Sequence, residues 1–229
     1  MRNTEALLLL CAAMAPLAAD GAADSWTPAD GEHQHFRIID GDKPVGELML
    51  RFSRSGETLS VERQQTMSVS RMMIKATLTQ TSKEQWSQDR LLGISTRTEL
   101  KSTIKDESKS LQLSRAADGK LSGNSGKDAV SLPADALPLS LWNEAMTRDG
   151  RYFDPADGKL GTLQRKTGAI EDAAPAGTDT AACKPVELAI TNAEKKTSRV
   201  LVWRSGSGKV CTMRFFSPMG TLDYVAAGD

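Results

Sequence analysis

Between Val45 and Leu100 the chain alternates apolar and polar side chains in four successive segments. Leu48, Leu50 and Phe52 alternate with Glu47, Met49 and Arg51. Leu59, Val61, Met67 and Val69 alternate with Ser60, Glu62, Thr66 and Ser68. Met72, Ile74, Ala76 and Leu78 alternate with Met73, Lys75, Thr77 and Thr79, and Leu92 and Ile94 with Leu91, Gly93 and Ser95. Successive side chains on a strand point to opposite faces, so this period of two predicts four strands, each with an apolar and a polar row. Ser55-Gly56 and Gln88-Asp89 supply turns, and Asp40-Gly41 upstream marks a hairpin after a first strand over Gln34 to Ile39. The apolar row of the second segment is interrupted from Arg63 to Gln65, which predicts a bend or bulge there. An antiparallel sheet of this kind has one face to cover and one for water.

The rest of the chain must supply the cover. Lys101 to Lys109 reads as a charged loop or strand extension, Leu111 and Leu113 as a strand, Leu121 as a short one, and Gly123 to Asp128 as a polar loop. Leu139, Trp142 and Met146 share one face at helical spacing, which predicts a short helix capped by Ser140 and laid on the apolar face. Tyr152-Phe153 and Lys159 to Ile170 read as strands, and Glu171 to Ala182 as a mobile loop. Strands over 186–191, 199–204, 210–217 and 221–226 complete the chain. Val200-Leu201-Val202-Trp203 is apolar on both sides, as in a strand covered on both faces. The fold class is therefore mainly β: a long, curved antiparallel meander forming a partly closed barrel, with one short covering helix.

Composition narrows the function. Lys plus Arg and Asp plus Glu are 29 each, so the basic excess of a nucleic-acid binder is missing. Arg2 followed by the apolar run from Leu7 to Ala19 reads as a signal peptide, too short to span a bilayer. Gly21-Ala22-Ala23 places cleavage after Ala23, and a site near Ala19 is poorer because Leu17 sits upstream. Residues 24–229 then form one exported β-rich domain, periplasmic or secreted, with no integral membrane span. Cys11 lies inside the signal and lacks a lipobox, since Leu10 precedes it. Cys183 and Cys211 remain, an even pair that suggests a disulfide in an oxidising compartment. If they lie two strands apart, about 9–10 Å separates them, too far for a bridge unless the chain before Pro185 bends across.

Chemistry is sparse. His33 and His35 point the same way on a strand, but no further Cys or His completes a metal site. Gly206-Ser207-Gly208-Lys209 lacks the upstream glycine and following helix of a phosphate loop and reads as a hairpin turn. Gly123-Asn124-Ser125-Gly126 lacks the setting of a nucleophile elbow. No catalytic residue, metal site or cofactor is expected. Met49, Met67, Met72 and Met73 cluster in consecutive strands; methionine fills cores and also suits surfaces that take varied apolar ligands.

The chain resembles an uncharacterised family of exported bacterial proteins. The matching pieces are Gly41-Asp42-Lys43-Pro44-Val45-Gly46, Trp86 with Asp89-Arg90-Leu91-Leu92, and Thr96-Arg97-Thr98. Leu132-Pro133, Leu141-Trp142-Asn143, Phe153-Asp154 and Asp157-Gly158-Lys159-Leu160 follow, and Val202-Trp203 and Leu222-Asp223-Tyr224 end the series. The resemblance implies a fold similar to the half-barrels of periplasmic lipoprotein carriers and, by analogy, an apolar ligand.

Two functions are expected from this reading. The first is non-catalytic binding of a hydrophobic or lipid-like molecule inside the half-barrel, by Leu50, Phe52, Met67, Ile74, Leu78 and Trp142. The second is an interaction or structural module for another envelope protein, using strand edges or the polar face.

Overall fold

The computed structural model describes residues 26–71, 74–179, 181–217 and 220–228, with only the backbone described at Arg71, Ile74 and Ser217. The expected signal peptide therefore lies outside the described residues. The alternating segments become β1 (His33–Asp40), β2 (Lys43–Ser55), β3 (Thr58–Arg71), β4 (Ile74–Ser87) and β5 (Arg90–Ser102). β6 (Glu107–Arg115), β7 (Leu121–Ser125) and β8 (Asp128–Leu132) continue the meander. The expected polar loop over 123–128 is thus mostly the β7–β8 hairpin, turned by Gly126 at φ 59°. After β9 (Leu137–Pro138) come β10 (Gly150–Phe153), β11 (Leu160–Lys166), β12 (Cys183–Thr191), β13 (Thr197–Ser205), β14 (Val210–Ser217) and β15 (Gly220–Ala226).

These strands form one 15-stranded sheet in the order β8 to β1, then β15 back to β9. Every pairing is antiparallel except β9 with β10. The two edge strands are β8 and β9, consecutive in sequence, so the sheet curls until its edges approach. Side chains bridge the seam. Lys109 Nζ donates to Asp157 Oδ2 at 3.0 Å, and a Cβ at Gly158, whose φ is 76°, would meet Leu111 and Val130 at 3.0 and 3.3 Å. Only glycine suits both the conformation and the gap. This is the partly closed barrel that the alternation predicts.

The covering helix is shorter than expected. Leu139 to Met146 does not form a helix; one 3-10 turn, Glu144–Thr147, stands in its place. The cap is Asn143, whose Oδ1 accepts from Ala145 N at 2.8 Å, rather than Ser140, whose Oγ contacts Met146 Sδ. The reason lies upstream. Leu141 sits at φ 56°, which stops a right-handed helix. The Arg204 guanidinium donates to the carbonyls of Leu141, Trp142 and Asn143, the last of which also accepts from Met146 N within the turn. Arg204 is buried, and burial lowers its pKa to about 10.

Bulges also fall elsewhere than expected. β3 keeps unbroken register with both neighbours through Arg63 and Gln65. The register shifts lie at Ile38/Ile39, Gln85/Trp86 and Trp203/Arg204. The second of these makes Leu92 the extra residue, so Leu91 and Ile94 both turn into the core rather than Leu92 and Ile94. The third leaves Cys211 between the pairs Trp203↔Thr212 and Arg204↔Val210. The two cysteines do sit two strands apart, on β12 and β14. Cys211 sits at a bulge, and just before Cys183 the chain turns, with Cys183 N donating to Asp179 O at 3.1 Å; the two Cα atoms lie 6.4 Å apart and the disulfide forms.

β13 is buried on both faces, as its sequence predicts: Val200 and Val202 face the main core, while Leu201 and Trp203 pack outside with Cys183. The cover outside comes from Ile170 and Ala174, in the segment after β11. Asp172 pairs with Arg199, which also lies over the Phe216 ring at 4.6 Å.

Candidate functional site

Register turns the inner face of β2–β6 into a series of cross-strand rows. Phe52, Val61, Glu84, Ile94 and Leu113 make one row; Leu50, Arg63, Ser82, Thr96 and Leu111 the next. Leu48, Gln65, Gln80, Thr98 and Lys109 follow, then Gly46, Met67, Leu78, Leu100 and Glu107. The interior therefore has three zones along the strands: an apolar end, a polar belt, and a second apolar stretch that we term the mouth.

The apolar end is filled. Phe52, Trp86 and Trp142 are almost wholly buried. Their rings meet edge to face, Phe52–Trp142 at 5.5 Å and Trp86–Trp142 at 5.6 Å, with Trp26 against Phe52 at 5.4 Å. Glu84 stands among them. Its Oε2 accepts from both indoles, Trp86 Nε1 and Trp142 Nε1, each at 2.9 Å. Burial raises the Glu84 pKa, against the lowering effect of hydrogen bonds from Trp142, Ser140 and Trp86 and of the Arg63 charge. One carboxyl thus ties the 139–147 segment to β4, and Arg204 ties the same segment to β13. That segment is a plug.

The belt is a connected polar network. Arg63 donates through Nη1 to Gln80 Oε1 and through Nη2 to Gln65 Oε1. Gln80 Nε2 in turn donates to Thr98 Oγ1 at 2.9 Å, and Gln65 Nε2 to the Tyr224 hydroxyl at 3.1 Å. Tyr224 comes from β15, so the network crosses the barrel. Burial lowers the Arg63 pKa and raises that of Tyr224. No carboxylate is hydrogen-bonded to Arg63 among the described residues; Glu84 and Asp154 act on it through charge alone. Arg63 Nε, Ser82 Oγ and Thr96 Oγ1 are enclosed without a hydrogen-bond partner. All three lie in one cross-strand row.

The mouth is apolar and incompletely covered. Met67, Leu78 and Leu100 are half-buried on the inner face, one beside the next. Val45, Phe215 and Leu222 are also half-buried and pack against the core from the other strands.

The six residues expected to bind an apolar ligand therefore do not form one site. Leu50, Phe52 and Trp142 belong to the filled core. Met67 and Leu78 line the mouth, beyond the belt. The Ile74 side chain lies outside the described residues. Sequence reading missed Arg63, Gln65, Gln80 and Glu84. The signal for them is their parity: each keeps the inward alternation of its strand while breaking its apolar character.

The histidines sit elsewhere. His33 and His35 are on β1, where His35 Nε2 lies 3.1 Å from Glu47 Oε2 on the exposed face. A cleft of about 470 Å³ runs past both, beside Arg51 and Glu62. Another of about 550 Å³ opens at the plugged end, beside Trp26, Arg54 and Asn143. Among the described residues no group of three or more His, Cys, Asp or Glu is placed to hold a metal ion, and no helix is long and apolar enough to cross a membrane.

Comparison with known proteins supports the fold. None of the curated proteins matches this chain. A solved structure, the beta-barrel-like protein of domain of unknown function DUF1849 from Brucella abortus, superposes with a TM-score of 0.59 at 10% identity. The match covers 85% of this chain and 94% of that one, and it shows a shared barrel-like fold. A family model of a domain of unknown function, DUF6134, matches residues 36–227. That span takes in β2–β15 and all of β1 except His33, Gln34 and His35, and with them the plug, the belt and the mouth, so the chain belongs to the DUF6134 family.

Proposed function

We propose that this protein is an exported, non-catalytic binding module that takes an apolar chain at the mouth of its barrel. The observation that carries this reading is the contrast in cover along one sheet face. Leu50 and Phe52 are at most 2% exposed, whereas Met67, Leu78 and Leu100 on neighbouring rows are only half-buried. Covering a large apolar side chain is worth roughly 1.5–3 kcal/mol, so a partly covered apolar row is a surface that gains by being covered. The half-barrel likeness and the methionine at the mouth fit a ligand of varied shape. Export fits the disulfide and the apolar leader.

The other expected role, an interaction module for an envelope protein, has less support. The sheet edges are a five-residue strand and a two-residue strand, which leaves little edge for a partner strand.

Uptake of the neutral probe phenylnaphthylamine tests the proposal. The protein should enhance its emission, and Leu78→Asp should abolish the enhancement in a variant that still unfolds cooperatively. An unmodified protein that takes up no apolar probe would sink the reading.

A further inference from the structure

Arg63 is a half-buried cation of the belt whose side chain is hydrogen-bonded only to neutral groups. Its Nη1 and Nη2 donate to the side-chain amides of Gln80 and Gln65. Its Nε has no partner, and neither have the Ser82 and Thr96 hydroxyls in the same row. The charged groups around it are engaged elsewhere. Glu84 is bound by two indoles through Oε2 alone; its Oε1 is enclosed without a hydrogen-bond partner, and it acts on Arg63 through charge. Lys109, at the end of the belt, is neutralised by Asp157 at 3.0 Å and Glu107 at 3.4 Å. Asp154 accepts from the backbone of Ala156. A partly buried guanidinium gains most from a charged acceptor, because hydrogen bonds between ionised partners are about twice as strong as neutral ones. Every spare polar atom in this row is able to donate: Arg63 Nε–H and the two hydroxyls. The Tyr224 hydroxyl, which accepts from Gln65, also keeps its own proton to give. On the open side of the belt stands the apolar row Met67–Leu78–Leu100.

We infer that the mouth accepts a single-chain amphiphile with its anionic head inward, and that Arg63 anchors the head. The ligand class is a long-chain carboxylate. Its head displaces one or both glutamine oxygens from Arg63 and takes up the idle donors of Ser82 and Thr96, and its chain lies along Met67, Leu78 and Leu100. Gln65 and Gln80 hold the guanidinium in place until that exchange. The inference rests on the mouth being a binding surface, and the test separates the two ideas.

The experiment measures displacement of phenylnaphthylamine from the full-length protein by palmitate, hexadecanol and methyl palmitate. Palmitate should compete at a concentration about tenfold or more below either neutral chain, the advantage of a charge-assisted bond in an enclosed site. Arg63→Met should remove that advantage and leave hexadecanol unchanged. Equal competition by all three chains in the unmodified protein overturns the inference and leaves the mouth reading standing. An Arg63→Met variant that folds and still prefers palmitate overturns it as well. If the variant does not fold, the comparison of the three chains on the unmodified protein decides alone. No uptake of the probe at all removes the mouth reading, and the head site falls with it.

Discussion

The two ends of the barrel use the same strands and solve the same problem differently. At the plugged end the apolar face of β2–β4 is covered by the chain itself: Trp142 lies on Phe52 and Trp86, Glu84 and Arg204 hold it from two sides, and the Cys183–Cys211 bridge lies beyond Arg204. At the mouth Met67, Leu78 and Leu100 lie on the same face without such a cover. Between them the belt spends buried volume on Arg63, Gln65 and Gln80 rather than on hydrocarbon. The difference teaches that stability and openness are separated along the strand axis. One end is built to hold, so the other is free to present apolar surface.

The strongest break of that comparison is at the plug. Trp142→Ala should cost about 3–5 kcal/mol, as large buried aromatics do, and urea denaturation should show the loss as a lowered midpoint. Removing the bridge comes next. Cys183→Ser with Cys211→Ser should cost about 3–4 kcal/mol in the loop-entropy model for a separation of this size. Thiol labelling of the unfolded, unreduced protein should find no free thiol at these positions, and two labelled thiols there would end this account of the plugged end.

A pH series sharpens the comparison further. The Glu84 pKa is higher in the folded chain than the usual 4.5, because burial disfavours its charged form. The native state therefore binds the proton more tightly than the unfolded chain does. Its contribution to stability is fully present below the usual glutamate value and is lost as pH rises through the folded value. Glu84→Gln should flatten that decline, leaving the decline from Asp154, whose pKa burial also raises, against the opposite trend of Glu32, Asp135, Asp172 and Glu194, whose pKa values are lowered. Thermal melts of both proteins across mildly acid to neutral pH provide the check; parallel declines would mean that Glu84 does not titrate in the plug.

At the mouth the effects should be small. Leu78→Ala should cost about 1 kcal/mol or less, since a half-buried side chain has less cover to lose than one in the filled core. The outer face should register least. Lys83 Nζ and Glu62 Oε1 are 3.1 Å apart but both exposed, and Lys83→Ala should move stability by well under about 1 kcal/mol.

Most of the strand framework was legible because alternation is a local signal: the hairpins β1–β2, β2–β3 and β4–β5 follow from parity and turn residues, while Met72 and Met73, expected within a strand, lie outside the described residues. The plug was legible only in part. Helical spacing singled out Trp142 and Met146 as buried, but their cover is a coiled segment shaped by Arg204, and that contact spans 62 residues of sequence. The belt was misread for a different reason. Arg63 and Gln65 looked like a break in the apolar row, and a bulge is the usual way to turn such residues outward. The chain keeps them inside, because Gln80, Thr98 and Tyr224 supply partners that are distant in sequence. The ligand residues split for the same reason: without the belt, Phe52 and Met67 looked like one surface.

The placement of the four tryptophans has an optical consequence. Trp26, Trp86 and Trp142 form one edge-to-face cluster, so their emission should be short in wavelength while the plug is seated and shift to the red when water reaches the indoles. Trp203 is packed instead against Cys183 of the disulfide, and disulfide sulfur quenches a neighbouring excited indole. Its emission should be dim in the oxidised protein and brighten on reduction. The molecule thus carries two intrinsic reporters, one in colour for the seating of the plug and one in intensity for the redox state beside it. Both are readable in the unlabelled protein.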